Sequence, residues 1–447
     1  MIWRAAWALV ACAGTIAALA GTAGAGGFAV PEVGARRTGM AAVVGRPDEP
    51  TAVYHNPAGL TLLEGTHLYV SLGASFPTTD MRLHPWPGSN QYINEPLDAE
   101  GYYPRTQPTR AFGIIPMIVA TTNVFTRDLT AAISFYVPNA TGAAFGEDGV
   151  VRYHLVDSLL VAGYGGLSLG WKPLRWLAVG AGVSMIYVTI SARRKIFPVL
   201  NGMDLSKLLG KNTDLTLAGS DVTWGWNFGV LLRPIERLTI GATVISRSDA
   251  TLKGDVTIHP GDDSFFRDFN GTQSTALLIP WTFMAGANLD VHPNLEIGAE
   301  VRYWLYSQLK TQHTDVMGIS LLTALDSPKN YSDSWQLSGG VRLHTVQPGL
   351  EAMLGLHYDS SPAPDSTVSL DQPSFNHVGL HSGLRWSFKE HYRVGLTWAH
   401  YWYLERRTWG SITQPPSNFA ASGTNDIVTA SLEVALDGAL LLKKKSR

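Results

Sequence analysis

The residues best suited by type and spacing to chemistry are one serine and the histidines. Gly166-Leu-Ser168-Leu-Gly170 fits the Gly-x-Ser-x-Gly pattern in which serine hydrolases carry their nucleophile. That nucleophile works at a sharp strand-to-helix turn, whereas Ser168 lies in an alternating stretch with no helical pattern after it. The 13 His are scattered, with no His-Glu-x-x-His and no carboxylate spacing that suits a metal. The sequence therefore predicts no catalytic residue and no metal site.

Other sources of chemistry are equally weak. Cys12 is the only cysteine, so the body of the chain has neither a disulfide framework nor thiol chemistry. No glycine-rich phosphate loop leads from a strand into a helix, and we expect no cofactor. The formal net charge is −2, which gives no reason to expect nucleic acid as a partner. These features favour a passage for molecules over a catalyst.

The elements that would position such residues are β-strands. The stretches 177–185 and 392–398 alternate apolar with small or polar residues, which is typical of a strand with one apolar face. Charged residues make up 16%, below the roughly 25% of soluble domains, and 14 Trp are present. Repeated along the chain, this pattern predicts an all-β protein, a transmembrane antiparallel β-barrel in the outer membrane of a Gram-negative cell.

About fourteen segments show the strand pattern. They lie near residues 65–76, 111–124, 129–137, 156–171, 176–192, 221–233, 237–250, 280–291, 295–308, 334–345, 350–359, 377–388, 391–404 and 426–436. An even number closes without a free edge, which lipid demands because unpaired backbone groups are costly there.

The connections between these segments alternate in length. Short ones fall near 126–128, 172–175, 234–236, 292–294, 347–349 and 389–391, and long ones cover 77–110, 138–155, 193–220, 251–279, 309–333, 360–376 and 405–425. Barrels of the outer membrane have short periplasmic turns and long extracellular loops. We therefore expect both termini in the periplasm.

Both ends of the chain carry features that differ from the barrel pattern. Residues 1–25 have a short basic start, an apolar segment and a small-residue cleavage site, which predicts a signal peptide. Leu9 to Cys12 also has the form of a lipobox, an alternative form of processing. After a barrel predicted over 65–437, residues 438–447 form a basic tail instead of the aromatic ending usual for such barrels.

Two long loops are unusually apolar. Segment 196–210 suggests a short amphipathic helix that presents Leu205, Leu208 and Leu209, and segment 314–325 has similar content. Either these loops pack on each other and cap the barrel, or they offer a landing surface for an apolar ligand. The two interpretations are compatible.

Residues 26–64 do not alternate and are rich in small side chains. A lumen of about fourteen strands is too wide to be filled by its own side chains. We therefore predict that this segment is a hatch that obstructs the lumen.

Several short motifs carry a family resemblance. They are Gly27-Phe28, Asn56-Pro57-Ala58, Tyr136-Val-Pro138, Arg152-Tyr153, Trp224-Gly-Trp-Asn-Phe-Gly229, Ser246-Arg-Ser-Asp249, Leu252-Lys-Gly-Asp255 and Tyr358-Asp-Ser-Ser-Pro-Ala-Pro-Asp365. In this order, over nearly the whole mature chain, the sequence resembles the FadL family of outer-membrane transporters for long-chain fatty acids and other hydrophobic compounds. The resemblance implies capture by apolar outer loops, a pocket near the start of the hatch, and lateral release where the third strand is kinked.

The resemblance also implies roles for individual residues. Phe28 would line the inner pocket, Asn56, Pro57 and Ala58 would hold the hatch, and Arg193 would pair with a ligand carboxylate. Strand parity counted from residue 177 instead turns Arg194 inward and Arg193 outward, unless a bulge shifts the register. Both arginines remain candidates, beside the simpler interpretation that they are solvated charges above the membrane.

Passive uptake of a hydrophobic compound is thus the expected function, by a monomeric barrel surrounded by outer-membrane lipid and lipopolysaccharide. A general porin would need no hatch and a lumen rich in opposed charges. A barrel whose loops bind a partner, or that has a structural role, is the other alternative. The sequence does not identify the ligand.

Overall fold

The structure is a computed structural model. It describes residues 28–109, 112–200, 203–204, 206, 210, 212–261, 264, 266–320, 322–344, 347–370 and 372–436. The predicted signal peptide (1–25) and basic tail (438–447) lie outside the described residues, as do Leu205, Leu208 and Leu209.

Strands dominate the described residues. The strands are β1 (His67–Leu83), β2 (Gly113–Asn123), β3 (Leu129–Ala144), β4 (Asp157–Leu174), β5 (Leu177–Lys195), β6 (Val199–Leu200), β7 (Met203–Asp204), β8 (Asp214–Ile235), β9 (Leu238–Ile245), β10 (Ser248–His259), β11 (Phe269–Ile279), β12 (Thr282–His292), β13 (Leu295–Trp304), β14 (Thr311–Met317), β15 (Ala324–Pro328), β16 (Ser334–His344), β17 (Leu350–Asp359), β18 (His377–Phe388), β19 (Tyr392–Arg407) and β20 (Phe419–Ala435). The helices are α1 (Ala35–Met40), α2 (Ala52–His55) and α3 (Ser89–Ile93), with 3₁₀ turns at Pro57–Leu62 and Tyr306–Gln308.

All of these strands except the pair β6–β7 form one sheet that closes on itself. Every pairing is antiparallel, and β1 pairs with both β2 and β20. Four positions around the wall are each filled by two consecutive strands, namely β9 with β10, β11 with β12, β13 with β14 and β15 with β16. The described residues therefore form a barrel of fourteen positions, which confirms the predicted fold class.

The faces of the wall follow the alternation of the sequence. In β1, Leu68, Val70 and Leu72 are exposed, while Tyr69 and Ser71 between them are buried toward the lumen. Exposed apolar side chains occupy the outer face of most other strands in the same way. The outer surface is thus an apolar band suited to lipid.

The connections differ strongly in length at the two ends of the barrel. Six short turns join β2–β3, β4–β5, β8–β9, β12–β13, β16–β17 and β18–β19 at the places expected from the sequence. The backbone N–H of Leu436 donates to Thr66 O at this same end (2.9 Å). At the other end the strands run further than expected: β10, β11, β14 and β15 occupy stretches of 251–279 and 309–333 that the sequence suggests are loops. Strand pairing continues there without the apolar alternation that marks lipid contact.

The lumen contains the segment from residue 28 to residue 64, with α1, α2 and the turn Pro57–Leu62. Most of its side chains are buried. We call residues 28–64 the hatch. None of the helices among the described residues has the length and apolar content needed to cross a membrane.

Glycines on the inner wall allow the hatch backbone to approach closely. Gly180 in β5 faces Gly229 in β8 across the ladder. A Cβ on Gly180 would overlap the Ala58 amide, and one on Gly229 would overlap Asn56 Oδ1. Larger side chains at these positions would therefore displace the hatch.

Candidate functional site

Ion pairs join the hatch to the wall near the short turns, and each except Arg46–Asp290 has at least one buried partner. The pairs, hatch residue first, are Arg36–Glu296 (2.7 Å), Arg46–Asp290 (2.5 Å), Asp48–Arg342 (2.9 Å) and Glu49–Arg385 (2.9 Å). Burial alone would raise the pKa of Asp48, but Arg342 and Arg36 outweigh it and hold this pKa well below its usual value. Since removal of one partner of a buried pair costs about 3–5 kcal/mol, these contacts oppose undocking.

Glu300 in β13 is a wall carboxylate that binds both the backbone and the side chains of the hatch. Its Oε2 accepts hydrogen bonds from the backbone N–H groups of Val43 (2.7 Å) and Val44 (2.9 Å) of the hatch. Its Oε1 accepts from Arg302 Nε (2.5 Å), and Arg302 Nη2 donates to His55 Nδ1 (3.1 Å). One carboxylate thus fixes a hatch turn and an arginine that holds the next hatch helix.

Asn56, Pro57 and Ala58 are fully buried where the hatch meets β5 and β8. Asn56 Oδ1 accepts from the Ala58 amide (3.1 Å), and Asn56 Nδ2 donates to Val230 O (3.0 Å). Pro57 starts the 3₁₀ turn, a position where its missing N–H costs nothing. The side chain of Asn56 therefore both closes the hatch turn and ties it to the wall.

Aromatic side chains of the hatch and of the wall meet in the lumen. The Phe28 ring is buried and meets Tyr306 edge-on, with 5.9 Å between ring centroids. Across the lumen, Tyr54 packs on Tyr136 (5.5 Å), which stacks on Tyr164 (5.4 Å). Phe28 therefore lies in an apolar part of the lumen, where the family resemblance puts an inner pocket.

The ladder between β2 and β3 ends part of the way up the wall. The last pair among the described residues joins Met117 to Tyr136, and residues 113–116 of β2 pair with β1 alone. Above Tyr136, β3 is buried at every residue through Gly142 instead of at alternate ones, and its register with β4 shifts before Asn139. The bulge coincides with the end of the β2–β3 ladder and leaves a break between these two strands.

The start of the hatch pairs with the bulged part of β3. The Val30 amide donates to Pro138 O (2.7 Å), and the Ala140 amide donates to Phe28 O (3.0 Å). The N-terminal residues thus act as a short extra strand along β3, and the ring of Phe28 lies beside the break.

The two arginines of β5 differ in their partners. Arg193 lies 2.5 Å from Glu147, with its side chain 35% exposed, and it lowers the pKa of Glu147 mainly through their hydrogen bond. Arg194 Nη1 lies 3.5 Å from Gln414 O. Arg193 therefore already holds a carboxylate of the protein.

Residues 199–200 and 203–204 form the small hairpin β6–β7, where the sequence suggests the start of a helix.

The sequence does not reveal Arg152 as a candidate. Its guanidinium is buried and donates to Tyr92 O (2.6 Å) and Gly149 O (3.0 Å), and it covers the Tyr153 ring at 4.8 Å. Within the described part of the chain it forms no ion pair with a carboxylate. Tyr153 also packs on Phe197 (5.3 Å), so the extracellular loops form an aromatic cluster around a buried cation.

The second apolar loop is divided between core and surface. Val316 and Ile319 are buried with Leu215 and Ile258, whereas Met317 is 64% exposed. Both interpretations of this loop therefore have support, since one part packs and another part remains available.

Ser168 lies in the middle of β4, paired with Gly182 of β5 and not at a strand-to-helix turn. Its setting lacks the elbow that a hydrolase nucleophile requires.

The lumen also contains a cluster of possible metal ligands that the sequence does not predict. Glu32, His357 and His381 come together although they are far apart in the chain.

A closed barrel with an apolar outer face, an internal hatch and an aromatic lumen defines an outer-membrane transport protein. The family model described as outer membrane protein transport protein (OMPP1/FadL/TodX) matches residues 16–425. The chain therefore belongs to this family, as the sequence motifs predict, and its location is the outer membrane. The family consists of transport channels and not of enzymes.

Solved structures share the fold at low sequence identity. A Pseudomonas aeruginosa FadL homologue superposes with a TM-score of 0.78 at 15% identity, over 92% of this chain and 99% of that one. The Pseudomonas putida toluene transporter TodX gives 0.71 at 13% identity, over 92% and 99%. The Ralstonia pickettii toluene transporter TbuX gives 0.65 at 14% identity, over 91% and 98%. A comparison with curated protein sequences finds no match.

Proposed function

We propose that this chain is a passive channel for long-chain fatty acids or other hydrophobic compounds, which leave it sideways through the break between β2 and β3. The observation that carries the proposal is this break, whose lower edge is the pair Met117–Tyr136 and which opens beside Phe28. Below it the ionic contacts of the hatch obstruct the lumen, so an apolar molecule has a side exit but no apolar path to the periplasm.

Capture begins at the extracellular loops. Trp409 and Ile412, in the loop after β19, are exposed and offer apolar surface close to the mouth of the barrel, in a layer of lipopolysaccharide that excludes apolar solutes. Each CH₂ group that leaves water for such a surface contributes about 0.8 kcal/mol. A long alkyl chain therefore binds without specific polar contacts. In this proposal the barrel works as a monomer.

A cationic side chain that pairs with a ligand carboxylate would distinguish fatty acids from hydrocarbons. Arg193 serves a ligand carboxylate only if that carboxylate displaces Glu147, whereas Arg152 is a buried cation held by carbonyls alone. We favour Arg152 as the carboxylate partner for this reason. TodX and TbuX are toluene transporters, and toluene has no carboxylate that needs a cationic partner, so aromatic hydrocarbons are the second class of cargo.

A disulfide across the break tests the exit. The body of the chain has no cysteine, so the double variant Pro116→Cys with Val137→Cys introduces one pair directly above the last bonded rung. Oxidation should stop uptake of labelled oleate or toluene by cells, and reduction should restore it. A matched pair, Thr121→Cys with Ala132→Cys, lies within the intact ladder and should leave uptake unchanged.

The ligand class is measured separately on purified protein. Saturable oleate binding that Arg152→Gln weakens, with toluene binding unaffected, supports fatty acid as cargo. Saturable binding of toluene alone supports the hydrocarbon class. Binding of neither compound, or uptake that persists in the oxidised Pro116/Val137 variant, contradicts the proposal.

A further inference from the structure

Three side chains from the hatch and the wall meet in the lumen. Glu32 precedes α1 in the hatch, His357 lies in β17 and His381 in β18. All three are buried, and each offers one ligand atom within 4.8 Å of the other two. We propose that Glu32, His357 and His381 bind one divalent transition-metal ion, of which zinc is the type, and that this ion ties the hatch to the wall.

Hydrogen bonds set the protonation of one imidazole. His381 Nδ1 lies 2.9 Å from Thr38 O of α1. Because a carbonyl oxygen only accepts, Nδ1 carries the proton and Nε2 keeps its lone pair. A ring nitrogen that donates to a backbone carbonyl while the other faces a metal is the usual arrangement of a metal-bound histidine.

The second imidazole, that of His357, is also held by hydrogen bonds at both of its ring nitrogens. His357 Nδ1 lies 2.6 Å from His381 Nε2, and His357 Nε2 lies 2.9 Å from His377 Nε2. Without metal, neutral His357 carries one proton, on Nδ1 between the first two nitrogens, and its Nε2 accepts from the protonated Nε2 of His377. With metal, the Nδ1 proton of His357 is released, the proton between His357 and His377 moves onto His357 Nε2, and His377 takes up a proton on Nδ1, so that all three imidazoles stay neutral. Ligands of a tetrahedral ion at 2.0–2.1 Å are about 3.3 Å apart, so the two rings separate by well under 1 Å.

Glu32 is the third ligand, and one oxygen of its carboxylate is not satisfied by the protein. Its Oε1 is buried with no hydrogen-bond partner, and its ion pair with Arg37 Nη2 spans 3.7 Å. A buried carboxylate oxygen without a partner is costly, and a metal ion removes that cost directly. Two imidazoles and one carboxylate are a ligand set that zinc takes in proteins.

The surrounding charges tolerate a divalent cation. Two guanidinium groups, those of Arg37 and Arg302, lie nearby, but both are engaged by Glu300. Asp359 lies two residues from His357 on the same face of β17, and its Oδ1 has no hydrogen-bond partner. Glu32 and Glu300 therefore balance the two guanidinium groups, so the ion does not enter a site of net positive charge.

The position of the site gives it a consequence for the hatch. Glu32 follows the short strand that ends with Val30, whose amide holds Pro138 beside the break. Metal bound at Glu32 would anchor this strand to β17 and β18 on the opposite side of the hatch segment. The ion would thus lower the mobility of the residues that border the exit.

Metal binding is tested on the full-length protein in detergent after treatment with a chelator. Zinc chloride is titrated against it in competition with a chromophoric chelator. All proteins carry His313→Gln, which removes an exposed histidine that contacts Asp315 and Asp326. We expect one equivalent of zinc with a Kd of about 1 µM or tighter. Glu32→Gln and His381→Gln should each weaken it at least about tenfold.

A crystal of the unaltered protein soaked in zinc provides a second, independent test of metal binding that needs no variant. Anomalous scattering at the zinc edge should place one peak among Glu32, His357 and His381. Two results overturn the proposal: no anomalous peak at this site, or equal zinc affinity in the parent protein and both folded variants. Magnesium should not compete, because imidazole ligands do not suit it.

Discussion

Glu300→Gln should loosen the hatch. The substitution keeps the size of the side chain but removes the negative charge that faces Arg37 and Arg302. It also replaces one oxygen by an NH₂ group, so the amides of Val43 and Val44 compete for a weaker acceptor. The hatch loses contacts while the barrel wall keeps its backbone ladder.

The magnitude follows from the burial of these groups. Loss of one partner from a buried ion pair costs about 3–5 kcal/mol, and the amide retains part of the hydrogen bonding, so we take about 3 kcal/mol. With a factor of ten for each 1.4 kcal/mol, the ratio of docked to undocked hatch should fall about a hundredfold. Openings that are rare in the parent protein should become frequent.

The assay is conductance of single channels in a planar bilayer. Glu390→Gln is the matched control, because Glu390 is exposed in the turn between β18 and β19. Deletion of residues 26–60 sets the conductance of an open lumen. Each protein must first migrate as a folded barrel on an unheated gel. If folded Glu300→Gln opens no more often than Glu390→Gln, the ionic contacts do not hold the hatch and the reasoning fails.

Two further changes address other contacts of the hatch. Gly229→Val should displace Asn56 and raise conductance in the same assay, whereas Gly165→Ala, where a Cβ meets nothing within 4 Å, should not; equal conductance would remove the steric argument. Burial, and after it the charge of Arg302, lowers the pKa of His55 to about 3, so the undocked hatch takes up a proton that the docked hatch refuses. Docking should therefore weaken as the pH falls from 6.5 toward 3, and a pH series of conductance in which His55→Gln opens at the same pH as the parent would contradict this.

The sequence predicts the barrel well because lipid imposes a simple rule. Each strand that crosses the membrane must alternate and must pair on both sides, so alternation and turn spacing suffice for strand number and orientation. Outside the membrane, strands do not need this alternation. This is why β10, β11, β14 and β15 extend through stretches that look like loops: their pairing continues where no apolar face is required.

The candidate site could be predicted only where local motifs mark it. Asn56-Pro57-Ala58 is visible because its turn chemistry is local, and the structure ties Asn56 to Val230 O. Glu32 and His357 cannot be connected from the sequence, because only the closure of the barrel around the hatch brings them together. Arg152 is likewise hidden, since its lack of a carboxylate partner is a property of the packed loops.

The division of the lumen by polarity argues for the side exit. The ion pairs of the hatch lie near the short-turn ends of β13, β16 and β18, through Glu296, Arg342 and Arg385, whereas Phe28 and Tyr306 lie in the apolar part above. An apolar molecule that moved further down would separate these charges and bury them without partners, at several kcal/mol for each. The break beside Phe28 lies where the apolar part ends, so the lateral release that we propose is the step with the smallest electrostatic cost.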